Sequence, residues 1–173
     1  LPNMKIFFFF FDISTEKILS TCLKEEGPKY VRLVRCETET IYDSKTRFKV
    51  GGSNTFGEGK DGTIFATGMT VGIALEAKEE LEKKGKYVRV VDIYSIKPID
   101  RKTVIKSAKE TEKLVSIEDH SIVGGIGSII SNVLTEEFPK KLYKIGVEDK
   151  FGKSGSVSKL YEMYGITKEA IVN

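Results

Sequence analysis

Two hydrophobic periods alternate along most of this chain. Short, nearly continuous apolar runs such as TIFATG (residues 63–68) and YVRVVDIY (87–94) are followed by segments whose apolar residues recur every three or four positions. In TVGIALEAKEELEKKG, Ile73, Ala74, Ala77 and Leu81 fall on one face and Gly85 closes the segment, the spacing of an amphipathic helix. SIKPID is expected to be a turn in which Pro98 blocks further helix or ladder, and Asp100 to cap the helix RKTVIKSAKE. KLVSIED (113–119) is the next strand, and GGIGSIISNVLTEEF the next helix, stopped by Pro139. KLYKIGV is a further strand. VSKLYEMYG and TKEAIV end the chain as short helices, with Gly165 between them and Thr167 as a cap. Strands separated by helical segments of roughly 10–15 residues imply right-handed crossovers and a mostly parallel sheet covered on both faces. The expected fold is therefore a three-layer α/β/α domain.

The first 45 residues follow a different plan. LPNMKIFFFFFD predicts a short apolar strand and STEKILSTCLKEEG a helix with Ser14 as N-cap, Gly27 past its end and Pro28 beyond. PKYVRLVRCETETIYD predicts a second strand, rich in β-branched and aromatic residues. One βαβ unit cannot bury both faces of its sheet, so residues 1–45 are expected to be the tail of a preceding α/β domain. Residues 46–60, with four glycines in a polar stretch, are expected to be a linker with a hairpin through Gly51 and Gly52.

Composition narrows the function classes. The chain has 173 residues, 40% hydrophobic and 31% charged, with 28 basic and 25 acidic residues interspersed for a net charge of +3. A nucleic-acid footprint needs clustered Lys and Arg with few acids between, so no nucleic-acid partner is expected. The longest apolar run, Ile6 to Phe11, is six residues, against roughly 20 for a membrane span. Cys22 and Cys36 have neither disulfide-framework nor metal-ligand spacing and are expected to be reduced thiols of a cytoplasmic protein. Leu1 is not an initiator methionine, and the chain is expected to continue a longer protein.

Few residues suggest chemistry of their own. The glycines at 124, 125 and 127 form GGxG at a predicted helix start, where backbone N–H groups favour anions. The pattern follows the third strand of the domain, however, and tight packing of helix on sheet is the preferred reading. His120, the sole histidine, follows Glu118 and Asp119 at a strand end, where a neighbouring carboxylate can tune an imidazole for acid–base work. A hydrogen-bonded structural or interface role is preferred, because no serine or cysteine stands as a nucleophile partner. Ser156 is read as a helix cap. Arg32 and Arg35, offset by three on a strand, point to opposite faces. An arginine leaving a strand end suits a phosphate, and a salt bridge to Glu37 or Glu39 suits it equally. No catalytic residue and no metal ligand is assigned.

PKYVRLVR with TIYD, then GTIFATGMTVGIALEAKEELEKKG, VRVVDIYSIKPIDRK, SIEDHSIVGGIGSIIS and FGKSGS, resembles the carboxy-terminal part of a transketolase, in this order and over nearly the whole chain. The resemblance implies that residues 1–45 end a thiamine-diphosphate pyrimidine-binding domain and that 46–173 form the transketolase C-terminal domain. It implies an enzyme that moves two-carbon ketol units between sugar phosphates in the pentose phosphate pathway, as a cytoplasmic homodimer. Thiamine diphosphate and Mg2+ or Ca2+ would serve the full-length enzyme, and this stretch alone is expected to bind neither and to be an inactive dimerisation scaffold. Two substrate contacts carry over: Arg35, in R-x-x-R after the Gly-Pro turn, on the sugar phosphate, and Asp12 on a substrate hydroxyl. Asp12 lacks the family's preceding Pro-x and falls one residue late against TEK. The rival readings are 1-deoxy-D-xylulose-5-phosphate synthase, the β subunit of 2-oxo acid dehydrogenase, and a non-catalytic assembly module.

Overall fold

The computed structural model describes residues 1–9, 13–33 and 41–173. Among these residues, eight strands form two sheets. The main sheet has the order β3 (Asn54–Phe56), β5 (Val88–Asp92), β4 (Gly62–Ala66), β7 (Lys113–Ser121), β8 (Leu142–Val147). Its strands run parallel except β3, which pairs antiparallel with β5 at one edge.

Alternation along the strands sends side chains to two cores. Ile64, Ala66 and Val90 face one cluster with Val71, Ala74 and Ile166. Their neighbours Phe65 and Val91 face the other, with Val104, Ala108, Ile130 and Leu134. Helix α2 (Thr70–Lys83), α5 (Val157–Tyr164) and α6 (Lys168–Val172) thus cover one face, and α3 (Arg101–Glu110) and α4 (Ile126–Glu137) the other. Every residue of β4 is buried, as a central parallel strand with both faces covered requires. This is the expected three-layer α/β/α fold.

The helix ends follow their local chemistry. Asp100 accepts the Thr103 N–H at 3.1 Å, and Thr167 accepts that of Ala170 at 3.4 Å. Gly85 and Gly165 close α2 and α5 at φ +73° and +67°, with the next residue's N–H returning to the preceding turn. Ser156 occupies the N-cap position of α5, but its hydroxyl makes no capping bond.

A second, three-stranded sheet holds the amino-terminal residues. Strand β1 (Lys5–Phe8) pairs parallel with β2 (Lys29–Arg32) across helix α1 (Ile13–Leu23), and antiparallel with β6 (Ser95–Lys97). Helix α1 starts at Ile13, one residue before the expected cap. SIKPID is therefore not only a turn: its first three residues are a strand, and Pro98, without an N–H to donate, follows where the ladder stops. Nor are Gly51 and Gly52 the bend of a hairpin. The chain passes them and enters β3, which docks on the edge of the main sheet. Cys22 is buried with its thiol free; Cys36 lies outside the described residues. Among those residues, no helix is long and apolar enough to cross a membrane.

Phe65 is 0% exposed and Phe151 98%. In urea unfolding, Phe65→Ala is expected to cost about 3–5 kcal/mol, and Phe151→Ala to stay within about 0.5 kcal/mol of the parent protein.

Candidate functional site

Parallel α/β sheets bind ligands beyond the carboxy-terminal strand ends, where neighbouring strands send their helices to opposite faces. Strands β4 and β7 are such a pair. Helix α2 leaves β4 toward one core and α4 leaves β7 toward the other, opening a crevice between them. A cavity of about 480 Å3 lies there, with Thr67, Glu118, Asp119, His120 and Gly125 among its lining residues.

The crevice is partly filled by the chain itself. The Phe8 ring packs so closely on Gly68 that a Cβ there would come within 2.3 Å of it, and Gly68 has φ +54°. Glycine meets both demands at once. The Arg32 guanidinium stacks 4.2 Å from the Phe8 centroid and pairs with Asp119 at 2.9 Å. The other Asp119 oxygen accepts the Tyr161 hydroxyl at 3.1 Å. Burial pushes the Asp119 carboxyl above its ordinary range, while Arg32 and Tyr161 act in the opposite direction. Arg32 thus has a partner 87 positions on in the sequence; Glu37 and Glu39 lie outside the described residues.

The glycine-rich turn is also occupied from within. The Glu118 carboxylate accepts the N–H groups of Ile126 at 2.7 Å and Gly127 at 3.0 Å, capping α4. Burial raises the Glu118 pKa; the two amides pull it back. A Cβ on Gly125 would lie 1.9 Å from that carboxylate, and one on Gly127 2.7 Å from Ser116 Oγ. The glycines therefore bring helix onto strand, and the amides that might have held a phosphate face Glu118. Among the described residues, no group of three or more His, Cys, Asp or Glu side chains is placed to hold a metal ion. What these residues form does not fit a diphosphate–metal cofactor.

His120 is exposed on the cavity rim, its Nδ1 3.1 Å from the Ser121 carbonyl. The expected substrate contacts, Arg35 and Asp12, lie outside the described residues. The Arg32–Asp119 and Glu118–α4 links went unread in the sequence, although EDH at a strand end was visible.

A three-layer α/β domain with its switch-point crevice partly filled by an amino-terminal βαβ unit defines the class. The chain belongs to the family described as "Transketolase, C-terminal domain", whose profile matches residues 51–171. A "Putative transketolase C-terminal section" of Methanocaldococcus jannaschii is 37% identical over 99% of this chain and 54% of its own length. A solved chain titled "Split gene transketolase, inactive beta4 tetramer" is 41% identical, with a TM-score of 0.95, over 99% of this chain and 56% of its own. A 1-deoxy-D-xylulose-5-phosphate synthase of Heliobacterium modesticaldum is 38% identical over 88% of this chain and 24% of its own length. The chain thus spans about half the length of the first two.

Glu118→Ala leaves two buried amides without an acceptor and is expected to cost about 1–3 kcal/mol in urea unfolding. Glu118→Gln, which keeps one acceptor, is expected to lose less.

Proposed function

We propose that this chain is part of the carboxy-terminal section of a transketolase and works with an amino-terminal section that carries the cofactor. The observation behind this reading is its 37% identity, over 99% of this chain and 54% of the relative's length, to the Methanocaldococcus jannaschii carboxy-terminal section, with the similarity to a split-gene transketolase chain in support. Residues 1–45 complete the pyrimidine-binding domain and 46–173 form the carboxy-terminal domain. The assembled enzyme uses thiamine diphosphate and Mg2+ or Ca2+, both held by the amino-terminal section, to move two-carbon ketol units between sugar phosphates of the pentose phosphate pathway. It acts as a homo-oligomer of the paired sections, most simply a dimer, in the cytoplasm. Arg35 forks onto the sugar phosphate and Asp12 meets a substrate hydroxyl. The chain alone is scaffold and turns nothing over.

Titrating thiamine diphosphate and Mg2+ into the chain alone is expected to give no binding heat, and into the full-length assembled enzyme to give both binding and ketol transfer. Cofactor binding by the lone chain, or a full-length assembly without transfer, contradicts the proposal. The synthase similarity sustains a second reading, which the same assay separates by formation of 1-deoxy-D-xylulose 5-phosphate.

In the assembled enzyme, Arg35→Ala removes a charge-assisted contact. It is expected to raise KM for a phosphorylated substrate about tenfold to a hundredfold, and to change KM for the unphosphorylated sugar little.

A further inference from the structure

Asp92 ends β5 with a side chain 0% exposed. Its Oδ2 accepts the Tyr42 hydroxyl. Its Oδ1 has no partner among the described residues, and neither has Nδ2 of Asn54, which stands opposite Asp92 in the β3–β5 ladder. Among the described residues, the titratable groups facing Asp92 are Tyr42 from the segment before β3, Tyr94 just past β5, and Asp100 beyond Tyr94. None is a cation, and no ion pair among the described residues involves Asp92.

Tyr42 belongs to a segment, residues 41–56, that bridges the two sheets. Its ring packs on Phe48 and Phe56, with centroids 5.0 and 5.3 Å apart, and Phe48 packs on Tyr94 at 5.0 Å. The Lys49 N–H donates to the Tyr94 hydroxyl at 3.2 Å and the Gly51 N–H to Ser95 Oγ at 3.0 Å. On the other side Lys17 Nζ of α1 donates to the Thr46 carbonyl at 2.8 Å. Ionising a carboxyl sealed in this place is costly, with one hydroxyl donor and no cation among the described residues. Water relieves that cost, and lifting Tyr42 and its segment lets it in.

We propose that residues 41–56 are a proton-latched strap, closed over β5 while Asp92 is neutral and loosened when Asp92 ionises. Closing ties the amino-terminal sheet to the main domain, so proton binding at Asp92 sets how firmly the two are held together.

Burial pushes the Asp92 carboxyl up to about 7, with the Tyr42 hydroxyl pulling it partway back. Burial and the adjacent Asp92 hold the Tyr42 phenol far above its ordinary range, so it stays a donor. In the opened strap Asp92 meets water and ionises near its ordinary value of about 4. A folded-state value raised above the open-state value favours closure at low pH. The advantage is lost as pH rises from about 4 to about 7 and changes no further above that.

The test is amide exchange at Lys49 and Gly51, corrected for intrinsic rates, between about pH 5 and 8. Protection is expected to fall on the order of 50-fold in the parent protein, with the β4 amides unchanged. In Asp92→Asn, which keeps an acceptor for Tyr42, it is expected to stay flat. Equal pH profiles in the two proteins, or a parallel fall at β4, overturn the proposal. Should Asp92→Asn fail to fold, a 13C carboxyl titration of the parent protein decides. A midpoint for Asp92 near neutrality supports the latch, and one near the ordinary value of about 4 overturns it.

Discussion

Parallel strands leave their carboxy-terminal ends together at one edge of a sheet, and every polar group buried there needs a partner. In this domain much of that edge is satisfied from within. The Thr67 hydroxyl donates to the Ile93 carbonyl at 3.0 Å, and the Thr70 hydroxyl reaches those of Thr67 at 2.8 Å and Ile117 at 2.9 Å. The ends of β4, β5 and β7 are thereby stitched to one another. The Phe8 N–H donates to the Tyr94 carbonyl at 3.1 Å, bringing β1 onto the same edge. Much of the molecule beyond the sheet follows from how this edge is closed, including the cap on α4, the placing of Arg32 and the seat of the amino-terminal sheet.

Closure from within explains why features that look like ligand sites act as structure. A glycine-rich helix start attracts anions through its free N–H groups and dipole, and here Glu118 supplies the anion from the strand just before it. The switch-point crevice is where open sheets take cofactors, and here Phe8 and Arg32 enter it. Arg32 gains on three counts in that position: an aromatic face, a carboxylate and partial shielding from water. A domain built this way suits a part that holds other parts in place.

Much of the fold was legible because its signals are local. Gly85 and Gly165 sit where only a left-handed residue closes a helix, and Asp100 and Thr167 stand one residue before the helices they cap. A continuous apolar run for β4, followed by a period of 3.6 for α2, separated the two. β3 and β6 were not legible: three residues carry no period, and each exists only because an edge of another sheet is there to receive it. The site was harder still. Arg32 and Asp119 are joined across distant sequence, and the Glu118 cap needs the depth of β7 as well as the spacing of GGxG. Nothing in YVRVVDIY singles out Asp92, and its burial beside Tyr42 is what marks it out. Arg35 and Asp12 were named from resemblance, and their roles rest on the proposed function.

The account depends most on the link by which β2 is held to β7, since the segment after Arg32 carries the arginine assigned to the sugar phosphate. A double-mutant cycle on Arg32→Gln and Asp119→Asn, read by urea unfolding, measures that link directly. The pair is partly exposed, with side chains 37% and 16% accessible, so the predicted coupling is about 0.5–1.5 kcal/mol. Single substitutions whose costs simply add, to within about 0.3 kcal/mol, would contradict the account: Arg32 would then merely lie against the main domain without holding to it.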